Sequence, residues 1–75
     1  MTKEADLAEL RRLAKAIEAR KGDLRILYAK RRALWLRRFL EGDAATELAQ
    51  ASGCIRQNVL SGLPREAKEA RRVAG

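Results

Sequence analysis

Twelve arginines stand beside five lysines in this chain of 75 residues, and no histidine accompanies them. Arginine carries a planar fork of donors that grips phosphates and base edges two bonds at a time, so the bias fits a nucleic-acid partner. The formal charge is +7, and its distribution is uneven. Residues 24–42 hold six basic side chains against one acidic, with Arg31, Arg32, Arg37 and Arg38 among them. Such a run forms a solvated helix face, a flank that meets phosphates, or a surface for an acidic partner. Arg37 and Arg38, near the end of their segment, are the two placed to meet a nucleic-acid backbone. Other chemistry is poorly provided for. Cys54 is the lone cysteine, so neither an intrachain disulfide nor a cysteine-built zinc site is available, and it reads as a small buried hydrophobe. No Ser/His/Asp set or glycine-rich phosphate loop occurs. A chain this short buries only about 60% of its unfolded surface, a thin core in which to hollow a pocket. The expectation is a binding protein and not an enzyme, without metal, cofactor or small-molecule effector.

The elements that position these side chains read as helices throughout. Fourteen alanines, one proline and three aromatics, all three between Tyr28 and Phe39, disfavour sheets. Residues 3–21 place Leu7, Leu10, Ala14 and Ile17 on one stripe, with acidic residues early and basic ones late, as the helix dipole prefers. Gly22-Asp23 then offers a stop and a cap. A second helix, from about Leu24 to Glu41, is apolar on two sides. Ile26, Ala29, Ala33, Leu36 and Leu40 form one stripe, and Leu24, Leu27, Leu34 and Trp35 form another. Two arrangements satisfy this pattern: a helical hairpin, or one long helix through Gly22 that pairs with a second copy along Leu7, Leu10, Ala14, Ile17 and Leu24. Residues 1–41 are accordingly assigned to a helical dimerisation region and residues 42–75 to the rest of a single small domain. Gly42-Asp43 is a further stop and cap. Short helices "AATELAQA" and "IRQNVLSG" follow, and Pro64 opens a last helix, "PREAKEARR". No stretch is apolar enough to span a membrane, and no signal peptide is evident, so the chain is expected in the cytoplasm, on the nucleoid.

One glycine separates the two short helices of "ELAQASGCIRQNVL". Two helices that cross steeply through a short turn need a small residue at their closest approach, which Ala49 supplies. They also need a residue tolerant of positive φ at the turn, which Gly53 supplies. Leu48, Cys54 and Val59 can anchor both helices to a core. The run from Glu47 to Val59 resembles the helix-turn-helix of small bacterial and phage DNA-binding regulators, E-[LI]-A-x-x-[LS]-G-[VL]-S-R-x-x-V. Glu47, Leu48, Ala49, Ser52, Gly53, Arg56 and Val59 match it; Ile55 departs from it, where Ser or Thr would cap the second helix. The likeness covers roughly residues 30–63.

That resemblance implies an all-α helix-turn-helix domain, preceded by the long helix or hairpin, whose recognition helix, about 55–62, enters the major groove of double-stranded DNA. It implies base contacts from Arg56, Gln57, Asn58 and Ser61, since arginine pairs with guanine and the amides with adenine. Phosphate contacts would come from Thr46, Gln50, Arg65 and Lys68, joined by Arg37 and Arg38. The chain is then expected to be a homodimeric transcriptional regulator. The alternative is a protein-interaction module, an adaptor for RNA polymerase or a phage partner on a similar fold.

Overall fold

The computed structural model describes residues 2–74, with side chains for 2–71. Among the described residues there are five helices: α1 Lys3–Glu18, α2 Leu24–Leu40, α3 Ala45–Ser52, α4 Arg56–Ser61 and α5 Arg65–Ala74. No strand occurs among the described residues. The fold is all-α.

Between the two arrangements open for the first half, the hairpin is the one adopted. A continuous helix over residues 3–41 would be about 58 Å long, whereas the molecule's longest extent is 38 Å. The break is closed by local bonds. Thr2 caps α1 by accepting from the Ala5 N–H at 3.1 Å, and α1 ends where Arg20 enters the left-handed region at φ 55°. The Arg20 N–H then reaches the Ile17 carbonyl and the Lys21 N–H the Ala16 carbonyl, closing the helix with two crossed bonds. Gly22 at φ 96° turns the chain, and the Asp23 carboxylate starts α2 by accepting from the Arg25 N–H at 2.9 Å. α2 closes with the same pair of crossed bonds, from Gly42 to Phe39 and from Asp43 to Arg38. Asp43 does not cap α3, as the sequence suggested. The cap position is Ala44, without a side-chain bond, because the Asp43 carboxylate faces Lys3 and Arg38 instead.

Folding back places α1 against both α2 and α3. Leu10 and Leu13 from α1 are fully enclosed, together with Trp35 from α2, Leu48 from α3 and Val59 from α4. Burying a side chain of this size contributes about 1.5–3 kcal/mol, so the cluster joins all four elements into one body. Trp35 is its centre. Its indole N–H donates to Ser52 Oγ at 2.8 Å, satisfying two buried polar groups at once. The same ring explains Gly62: a Cβ there would lie 2.8 Å from Trp35 Cζ3, closer than packing allows.

α5 is anchored by small apolar contacts. Ala67 is buried, and Leu63 just before it is too. Arg71 fastens this helix to α2 by donating to the Gly42 and Asp43 carbonyls at 2.8 and 2.5 Å, with its guanidinium 4.3 Å over the Phe39 ring.

One residue of the seam expected to pair two copies is used inside one. Leu10 lies wholly in the core, and Leu7, Ala14, Ile17 and Leu24 are half-buried against their own chain. The reversal at Gly22 encloses Leu10 and leaves Leu7, Ala14, Ile17 and Leu24 partly exposed.

Candidate nucleic-acid interface

The α3–α4 connection is set by backbone geometry. Gly53 sits at φ 68°, ψ 31°, the left-handed region that side chains with a Cβ rarely adopt. Its N–H reaches the Gln50 carbonyl at 3.3 Å and the Cys54 N–H reaches the Ala49 carbonyl at 3.0 Å, ending α3 as α1 and α2 end. A Cβ at Gly53 would stand 4.0 Å from Ala14, so space is not the constraint; conformation is. Ala14 also shows where α1 has gone: it backs the turn from behind. Leu48, Ala49 and Val59 are buried, and Cys54 is half-buried.

α4 is six residues long and buries only Val59. Arg56, Gln57, Asn58 and Ser61 are all exposed. Among the described residues, Arg56, Gln57 and Asn58 make no side-chain hydrogen bond or ion pair within the chain. An arginine, a glutamine and an asparagine on one short exposed helix therefore keep their full hydrogen-bonding capacity for something outside. The helix starts without a side-chain cap because Ile55 stands there, 66% exposed.

The flanking residues divide. Thr46 and Gln50, one turn apart on α3, and Arg65 and Lys68, on one face of α5, are exposed as a phosphate contact requires. Arg65 is tethered to Glu69 at 2.8 Å, an exposed pair that holds it loosely. Arg38 is a correction. It is 6% exposed, its Nε lies 3.0 Å from Asp6 Oδ2 and 3.8 Å from Asp43 Oδ2, and it cannot reach a duplex. Arg37 is exposed but grips both oxygens of the same carboxylate, Nε donating to Oδ2 at 3.1 Å and Nη2 to Oδ1 at 2.5 Å. Both arginines serve the α1–α2 joint because Asp6, fully enclosed, requires countercharge there.

One further residue comes to light only in three dimensions. Arg11 of α1 lines a shallow groove of about 260 Å³ with Leu7, Glu47, Gln50 and Ala51, bringing an exposed guanidinium beside the Gln50 position. Its helix lies outside the helix-turn-helix likeness, so nothing in the sequence singles it out. Arg31 stacks 4.8 Å from the Tyr28 centroid and 4.5 Å from that of Trp35. Burial raises the Cys54 thiol above its ordinary pKa, with the nearby Arg31 charge opposing, which fits an inert packing residue. Among the described residues no acidic or thiol cluster is arranged to hold a metal ion, and no helix is long and apolar enough to cross a membrane. No family model matches the chain, and neither a curated protein nor a solved structure matches it.

Proposed function

We propose that the chain binds double-stranded DNA sequence-specifically, as a small transcriptional regulator, with α4 as the helix that enters the major groove. The observation that carries this reading is the combination at one turn. A left-handed Gly53 redirects the chain, and the helix that follows hides Val59 while leaving Arg56, Gln57, Asn58 and Ser61 exposed. A groove about 12 Å wide admits a helix, and these side-chain types are the ones that discriminate base edges there. Arg56 is assigned to guanine, Gln57 and Asn58 to adenine. Thr46, Gln50, Arg11, Arg65 and Lys68 are assigned to the phosphates, which supply affinity without sequence preference.

One copy suffices to read a half-site. Two copies with recognition helices about 34 Å apart would read a two-fold site, and the partly exposed Leu7, Ala14, Ile17 and Leu24 are the residues assigned to join them. Ile55 favours the second reading, a protein-interaction module, since an apolar side chain 66% exposed at the start of α4 suits a protein surface. Selection of binding sites from random duplex DNA by the purified chain tests the proposal. A short enriched sequence, bound less tightly as salt rises, is the expected result. Failure to enrich any sequence, with binding insensitive to salt, would favour the protein partner.

A further inference from the structure

α2 is built the wrong way round for a surface helix. Leu34, Trp35, Arg38 and Phe39 face the core, so the opposite side should be polar. Instead Ile26, Ala29, Ala33, Leu36 and Leu40 occupy it. Ile26 is 54% exposed and Leu40 55%, the two alanines are exposed, and Leu36 is half-buried. Their spacing alternates three and four along the whole helix, which is the a/d pattern of a coiled-coil seam. Among the described residues only Leu36 of the stripe packs against the core, and Ile26, Ala29, Ala33 and Leu40 stay exposed. We infer that this outward stripe of α2 is a docking surface for an amphipathic, acidic helix of another protein.

The borders of the stripe select that occupant. Arg25 and Arg32 run along one edge, and Lys30 and Arg37 along the other. These are the positions that face a partner helix across a seam and set its identity through charge. A second copy of α2 is disfavoured in both orientations. Arranged parallel, the two helices would oppose Arg25 to Lys30 and Arg32 to Arg37. Arranged antiparallel, each basic edge would meet itself. Like charges at such positions are repulsive, whereas glutamates or aspartates on a partner would meet Arg25, Lys30 and Arg32, Arg37 being already bonded to Asp6. Arg25 is held only loosely, 3.5 Å from Asp23 with its side chain 93% exposed, and Arg32 has no ion pair among the described residues. A membrane surface is a poorer match. Interfacial helices present tryptophan, phenylalanine or leucine to lipid, but here Trp35 and Phe39 are in the core and two alanines occupy the centre of the stripe. Small residues between Ile26 and Leu36 instead leave room for the knobs of a facing helix.

The probe is a fluorescein-labelled three-heptad peptide with leucine at a and d and glutamate at e and g, titrated with the full chain and followed by anisotropy. Binding in the micromolar range is expected, with a peptide bearing lysine at e and g bound at least about tenfold more weakly. In I26S/L40S, whose replaced side chains are more than half exposed, binding should fall by at least about tenfold at an unchanged melting temperature. In K30E/R32E, the preference between the two peptides should invert. Lack of binding to the acidic peptide, or equal binding to both, would overturn the inference. So would sedimentation showing that the chain alone dimerises in a manner lost in I26S/L40S, which makes a second copy the occupant. Tighter binding to phosphatidylserine vesicles than to the peptide, lost in the same variant, would overturn it in favour of a lipid surface.

Discussion

The α1–α2 hairpin and the α3–α4 pair treat polar side chains in opposite ways. At the hairpin, charges are turned inward and matched: Asp6 is fully enclosed, with Arg37 on one oxygen pair and Arg38 lying against it. At the α3–α4 pair only the apolar anchors are hidden, while Arg56, Gln57 and Asn58 point outward without partners among the described residues. Arginine therefore has two distinct uses in one small molecule. Where it closes a buried ion pair it sets the angle between helices. Where it has nothing to bond within the chain, its bonding capacity is available to a ligand. Net charge does not separate these uses; the partner of each guanidinium does.

Perturbing the hairpin should have the largest effect. Asp6→Ala strands the Arg38 charge in the core, and removal of one partner of a buried pair costs about 3–5 kcal/mol, enough to unfold much of a domain this small in a urea titration. The companion replacement Asp6→Leu with Arg38→Met, which removes both charges, should recover most of that loss. If Asp6→Ala melts like the parent chain, the pair does not hold the hairpin.

The turn comes next. Gly53→Val places a β-branched residue at φ 68° and should cost about 1–3 kcal/mol. Ample space around that position assigns the cost to backbone strain and not to a clash, so Gly53→Asn should be milder, because asparagine tolerates this region. Equal losses for valine and asparagine would point away from φ as the cause. The smallest effect should be a gain. Ile55→Ser supplies the missing cap on α4, worth about 1 kcal/mol, and a melting temperature no higher than the parent's would show that α4 does not need one.

Much of this contrast was legible in the sequence, though not all. The five helices follow from alanine content, apolar spacing and glycine stops, each of which acts within a turn or two of chain. The Gly53 turn is legible for the same reason, since a left-handed residue is a local demand that glycine meets. Whether Gly22 bends or continues the helix was not, because the choice is made by what α1 packs against. Arg37 and Arg38 look alike in a basic run, yet consecutive residues on a helix point in different directions. Arg38 follows Leu34 and Trp35 by four and three positions and so shares their inward face. That spacing was a readable signal. Asp6 gave none, for a carboxylate in the first turn of a charged helix ordinarily faces water. The Trp35–Ser52 bond and the approach of Gly62 to the indole join residues 17 and 27 positions apart, beyond the reach of any local pattern.

The account depends most on Arg56 acting outside the fold. On the duplex that the chain selects, the parent and Arg56→Ala should be compared for affinity against every single-base variant of the site. The prediction is a variant that is folded as stably as the parent to within about 0.5 kcal/mol and binds about 1–3 kcal/mol more weakly, having lost discrimination at one base pair while keeping it at the others. An Arg56→Ala chain that binds and discriminates as the parent does, or that weakens equally on every sequence, would contradict the reading of α4 as the helix that reads bases.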